Sequence, residues 1–175
     1  MKKNAQKQTG PRARSGGFTL AELVVVLSII AVLSMMVSPV FRAAFRDIRT
    51  ESAINDLVAT LAHAQTRAVS DSTEFRVYLD TERGTYWTER QTNPGERPAQ
   101  FERVSDRFGT EAEFPDTLAL KKVSARRDAE SKWYFIAFYP HGAADLATVE
   151  LVRTEEGGER YIVSTRGGRV TVKLS

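Results

Sequence analysis

The sequence predicts an α+β protein in which one long N-terminal helix, transmembrane in its first half and amphipathic in its second, packs on an antiparallel β-sheet domain. Three observations carry this expectation. An almost purely apolar run covers residues 18–41, and apolar residues at helical spacing continue through 42–71. The remainder, 72–175, breaks into short alternating segments separated by turn residues.

The elements follow in order. Residues 1–17 hold Lys2, Lys3, Lys7, Arg12 and Arg14 and no acid. From Phe18 to Phe41 the only ionisable side chain is Glu22. As a helix these 24 residues reach about 36 Å, more than the roughly 30 Å of a bilayer's hydrocarbon core. The cationic flank places the N-terminus in the cytoplasm and residues beyond about 42 outside. A secretory signal peptide fits less well. The run is too long for an h-region, and the small residues Ser15-Gly16-Gly17 precede it rather than follow it.

Charge and composition narrow the function further. The whole chain carries +3, but without the five leader cations 20 Lys and Arg face 22 Asp and Glu, a net −2. The basicity therefore belongs to the leader, and global charge makes no case for a nucleic-acid partner. There is no cysteine, hence no disulfide framework and no thiolate metal site.

Between 42 and 71, Ile54, Leu57, Val58, Leu61, Ala64 and Ala68 recur at intervals of three and four, with Arg, Asp, Glu, Asn and Gln between them. No glycine interrupts the pattern from Phe18 to Ser70, and Pro39 is the expected kink. One helix of about 50 residues is expected. Strands are expected at 74–79, 85–90, 118–123, 133–139, 147–153, 160–165 and 169–174, with a loop over 91–98. The last three, joined by Glu-Glu-Gly-Gly and Arg-Gly-Gly turns, should form an antiparallel meander. A single domain of roughly 105 residues results, without an internal repeat.

Gly17, then Phe18-Thr19-Leu20-Ala21-Glu22, then an apolar helix resembles the class III signal of type IV prepilins and type II secretion pseudopilins. Ala21 stands where a larger aliphatic is common. The resemblance implies cleavage by prepilin peptidase after Gly17, N-methylation of Phe18, and a subunit-assembly role for Glu22. Pro39 falls where many pilins place a helix-kinking proline. Further along, FYPHGAADLATVELV at 138–152 and YIVSTRGGRV at 161–170 are similar to the GspH/FimT-type minor pseudopilins, which commonly show F-x-x-x-G, a strand, and a last hairpin with G-R. The implied protein is a minor pseudopilin of a type II secretion pseudopilus, anchored by one pass in the inner membrane with its C-terminal domain in the periplasm. Its partners would be prepilin peptidase, other pseudopilins or pilins, and the inner-membrane assembly platform. It would have no catalytic role and no cofactor.

Glu22 then acquires a physical purpose. A charge in hydrocarbon costs on the order of 2.5–3.5 kcal/mol or more. Cleavage would create a cation in the same layer, the α-amine of Phe18, with an ordinary pKa near 8. The resemblance implies that Glu22 pairs with that amine on a neighbouring subunit, setting the axial stagger of a filament. The plain alternative is a carboxylate that snorkels to the membrane edge.

Other residues invite mainly structural roles. His63 and His141 have no second metal ligand at suitable spacing, so no metal site is expected. Tyr86, Trp87, Trp133, Tyr134, Phe135, Phe138 and Tyr139 read as core and strand-face residues rather than a base-stacking platform. Arg126-Arg127 and the trio Arg166, Arg169 and Lys173 read as solvated edges. The trio also carries the alternative function, a type IV minor pilin that contacts DNA. In FimT-like pilins that role is associated with a G-R-x-R element. Here the stretch is Gly168-Arg169-Val170-Thr171, without the second arginine.

Overall fold

The computed structural model describes residues 18–129, 131–155 and 158–175, and the side chains of 35–44 lie outside that set. Helix α1 spans Leu20–Ser70, one continuous element as the unbroken pattern requires. Thr19 caps its start: the Thr19 Oγ1 accepts the Glu22 N–H at 3.2 Å, and the Thr19 carbonyl accepts the Leu23 N–H at 3.2 Å. Its end is closed by the Schellman pattern, with Thr73 N–H donating to the Ala68 carbonyl and Ser72 N–H to the Val69 carbonyl. Ser72 sits at φ 51°, a conformation usually left to glycine. Arg67 pairs with Asp71 at 2.8 Å in the last turn, where a cation complements the helix dipole.

The chain divides into two compact units, Met1–Ala43 and Ala44–Ser175. In the first, every described side chain from Phe18 to Ser34 is exposed. Ser28 and Ser34 donate their hydroxyls to the carbonyls of Val24 and Ile30, satisfying themselves within the helix. Among the described residues no helix is long and apolar enough to cross a membrane. The expected span 18–41 runs into residues 35–44, so Pro39's side chain, like Gly17 and the leader, lies outside the described residues.

In the second unit the rest of α1 meets two antiparallel sheets. Strands β1 (Phe75–Asp80), β2 (Thr85–Gln91), β3 (Phe101–Arg103), β4 (Ala112–Glu113), β5 (Leu118–Ser124), β6 (Arg126–Arg127), β7 (Tyr134–Phe138), β8 (Ala147–Arg153), β9 (Arg160–Arg166) and β10 (Arg169–Leu174) appear in that order. One sheet runs β3-β2-β1-β7-β6, with β4 also on β2; the other runs β10-β9-β8-β5. The expected meander is β8-β9-β10. Gln91, expected in a loop, instead ends β2 and pairs with Phe101 of β3.

The stripe Ile54, Leu57, Leu61, Ala64 and Ala68 packs into one core with Phe75, Val77, Leu79, Ile136 and Phe138 of the first sheet and Val149, Leu151 and Val163 of the second. The first sheet is covered on its other face too. Tyr78, Trp87, Phe135 and Ala137 form a second cluster there, and Trp133 meets Trp87 edge-on at 4.7 Å. Burial on both faces explains why β1 is buried almost without alternation. The Arg76 guanidinium lies 3.6 Å from the Phe101 ring centroid and 4.5 Å from that of Phe135 on this face. Tyr86, Tyr134 and Phe138 join the main core, so the aromatic residues serve packing as the sequence led one to expect.

His63 fixes the segment after β3 onto α1. Its ring stacks on Phe108 at 3.9 Å, and its Nε2 lies 3.5 Å from the Asp106 carboxylate. Thr88 of β2 holds the same segment, donating its N–H to the Phe108 carbonyl and accepting the Val104 N–H. Burial pushes the His63 pKa below its ordinary 6.5; Asp106 opposes this, while Arg67 and Arg107 add to it. The folded state therefore binds a proton on His63 less readily than the unfolded chain. The stability from neutral His63 is complete above pH about 6.5 and is lost as pH falls through the lowered folded value. We predict that urea midpoints fall between pH 7.5 and 5.5 and that His63→Gln makes this fall shallower. An equal slope in both proteins refutes the assignment.

Candidate functional site

The candidate residues form two groups, one in each unit. The first is the start of α1. Phe18 is 85% exposed ahead of the helix, and Glu22 is exposed in its first turn. The N-cap hydrogen bond joins them through Thr19: Thr19-Leu20-Ala21-Glu22 is the Thr-x-x-Glu pattern of a capping box. Thr19 was missed as a site residue, although that spacing was legible. The cap satisfies one backbone N–H and favours an acid in the first turn through the helix dipole. It leaves the carboxylate without a cation: among the described residues none lies within ion-pair distance of Glu22.

The second group is the β9–β10 hairpin. Gly167 at φ 56° and Gly168 at φ 76° make its two-residue turn, which needs positive φ at both positions. Arg166 and Arg169 face each other across it in register, and Lys173 follows on the same side of β10. All three are exposed, and none makes an ion pair among the described residues. Like charges opposite one another are mildly destabilising, so packing elsewhere must hold the hairpin.

That packing is a clamp of two glycines and a glutamine. A Cβ on Gly168 would lie 2.3 Å from the Gly142 carbonyl oxygen and 2.7 Å from the Gln65 side-chain nitrogen. The Gln65 amide also donates to the Gly142 carbonyl at 3.5 Å. Gly142 itself sits at φ 83° in the turn after β7. Helix, β7–β8 turn and last hairpin thus meet at one point. The two glycines acquire different physical reasons: Gly168 has no room for a Cβ against the Gly142 carbonyl, whereas a Cβ on Gly142 would meet only ordinary contact and it is the positive φ there that favours glycine. Thr165 adds a second tie, donating its hydroxyl to the Asp145 carbonyl at 2.7 Å.

His141 stacks on Tyr139 at 5.7 Å in the same turn. Among the described residues no three His, Asp or Glu side chains gather as a metal-holding group.

Residues 12–38 match the family model of the prokaryotic N-terminal methylation motif. Two structures of the minor pseudopilin EpsH from the type II secretion system of Vibrio cholerae are similar in fold. One has a TM-score of 0.55 at 14% identity, covering 73% of this chain and 96% of that one. The other gives 0.54 at 14% identity, covering 73% and 94%. A structure of the type IV minor pilin FimU from Pseudomonas aeruginosa aligns with a TM-score of 0.45 at 18% identity, over 71% of this chain and 87% of that one. No curated protein sequence matches the chain. The chain thus has a type IV pilin-like fold behind a prepilin-type methylation motif.

The clamp is testable. Gly167 also has positive φ but open space around its Cβ position, so Gly167→Ala meets conformational strain of about 1–2 kcal/mol. Gly168→Ala adds the clash, a further ~1–3 kcal/mol. Denaturation midpoints of the two variants should separate accordingly; equal midpoints refute the clamp.

Proposed function

We propose that this chain is a minor pseudopilin of a type II secretion pseudopilus. Prepilin peptidase cleaves it after Gly17 and methylates the new amine of Phe18. The helix over 18–41 spans the inner membrane with its N-terminus cytoplasmic, and the β-rich domain stands in the periplasm. The subunit then joins other pilin-like subunits on the inner-membrane assembly platform. The observation that carries this reading is the methylation motif at 12–38, running directly into a helix whose described apolar side chains, Phe18 to Leu33, are all exposed. So much exposed apolar surface calls for an apolar surrounding, supplied in turn by lipid and by neighbouring helices. The EpsH likeness supports the fold side of the proposal.

In this role the chain is a peptidase's substrate rather than an enzyme. Gly17 offers no Cβ at the scissile bond, where the peptidase must approach the backbone closely. Hydrolysis frees an α-amine at Phe18, and methylation leaves it protonatable. Glu22, already held in the first turn by the Thr19 cap, presents its carboxylate to that amine on the next subunit. In low dielectric such a pair is strong and selective for one axial stagger.

The same signal serves type IV pili. The unpaired Arg166, Arg169 and Lys173 are the observation that favours a DNA-contacting minor pilin. Three phosphate contacts yield a log–log salt slope of only about −2 to −3, and the chain beyond the leader carries no net positive charge. We therefore favour secretion.

Two outcomes test the proposal. Mass spectrometry of membrane-extracted protein, from cells with active prepilin peptidase, should find methylated Phe18 as the first residue. Gly17→Leu should retain the leader; a wild-type N-terminus at Met1 sinks the idea. Glu22→Val should be inserted and cleaved normally, since the helix becomes more apolar, yet crosslink several-fold less to neighbouring pseudopilins. Unchanged crosslinking means that Glu22 merely snorkels.

A further inference from the structure

Three of the four sheet edges are blunted. The first sheet ends in β3, three residues long, and β6, two residues long. The second sheet ends on one side in β5, whose ladder slips at a bulge between Leu120 and Lys122. Short strands and bulges are the usual devices against unwanted strand pairing. Strand β10 has neither, and is guarded only by the exposed charges Arg169 and Lys173. It holds six consecutive pairs with β9 and no register shift, contains no proline, and has no strand on its other side among the described residues.

The hydrogen-bond phase shows which backbone groups face that open side. Arg160 and Ser175 exchange both N–H···O bonds, at 3.3 and 2.9 Å. Antiparallel pairs alternate between bonded and non-bonded, so Ile162–Lys173, Ser164–Thr171 and Arg166–Arg169 are the bonded pairs of the β9–β10 register. The N–H and C=O groups of Val170, Val172 and Leu174 therefore point away from β9. These are also the strand's apolar residues. Their cross-strand partners are Thr165, Val163 and Tyr161, which lie on the core side of the sheet. Val170 packs against the core, while Val172 and Leu174 are 43% and 61% exposed. On the other face of the strand, Arg169 and Lys173, with Arg166 beside them, lack ion-pair partners among the described residues.

An open ladder, an apolar strip on one face and unpaired cations on the other define one complement. We propose that β10 is a docking edge that takes an extended segment of a partner protein, in which aliphatic and acidic residues alternate, as a further strand of the second sheet. The segment's backbone pairs with Val170, Val172 and Leu174. Its aliphatic side chains extend the core-side strip, and its carboxylates lie beside Arg169 and Lys173. The inference stands apart from the secretion reading, since it rests on residues of the second unit alone.

The test uses the detergent-solubilised full chain and two short synthetic peptides, one alternating valine and glutamate, the other valine and lysine. The glutamate peptide should slow amide exchange at Val170, Val172 and Leu174 by about tenfold or more, while Thr171 and Lys173, already bonded to β9, change little. Val172→Pro removes an outward N–H without touching the β9 ladder, so it should abolish the protection while the hairpin stays folded. The double variant Arg169→Glu/Lys173→Glu should transfer the preference to the lysine peptide, which keeps the test decisive if the proline variant is unstable. Equal protection by both peptides, or by neither, overturns the proposal. So does a DNA duplex that protects the hairpin where the glutamate peptide does not, because the cations would then serve phosphate.

Discussion

One helical stripe has to satisfy two sheets. Ile54, Leu57, Leu61, Ala64 and Ala68 are buried to 4% exposure or less and share a core with strands of both sheets. Full burial of a leucine-sized side chain contributes about 1.5–3 kcal/mol. Within the second unit, then, the helix is the element around which both sheets gather. Its ends are pinned by polar contacts: Asp47 to Arg153 at 2.7 Å, Thr50 to Thr117 at 2.8 Å, and Gln65 to the Gly142 carbonyl. A rotation of the helix about its axis would break all three and expose the stripe.

The same helix carries a different problem at its other end. Among the described residues its apolar side chains from Leu20 to Leu33 are exposed, and the one charge among them, Glu22, has no ion-pair partner there. A helix apolar all round is stable only inside lipid or among other helices. Cap and carboxylate sit within five residues of the proposed cleavage point, so the proposed processing and the helix start would involve the same few residues. The proposed membrane and filament setting would supply the surroundings of the first half of α1, whereas this chain itself covers the stripe of the second.

The C-terminal hairpin shows how tightly a surface element is held when backbones touch. A Cβ on Gly168 would collide with the Gly142 carbonyl, and the hairpin's cations Arg166, Arg169 and Lys173 are exposed.

Much of this was legible in the sequence. The long helix, its amphipathic stripe, the strands later numbered β1, β2, β5 and β7 to β10, and the final meander all follow from local periodicity and turn chemistry. The Thr19–Glu22 cap was legible too, and was overlooked. What periodicity cannot contain is partner choice over long separations. The pairing of β1 with β7, the split into two sheets, the short strands β3, β4 and β6, and the meeting of Gln65, Gly142 and Gly168 depend on tertiary packing. The seven aromatic residues could be assigned to packing from composition, yet only the sheet's two covered faces decided which formed the main core and which the second cluster. By itself the sequence determined the elements and the chemistry of the N-terminal signal, because both are written in neighbouring residues. The tertiary structure decided which edge stays open and which cations stay unpaired, because those depend on what the rest of the chain fails to cover.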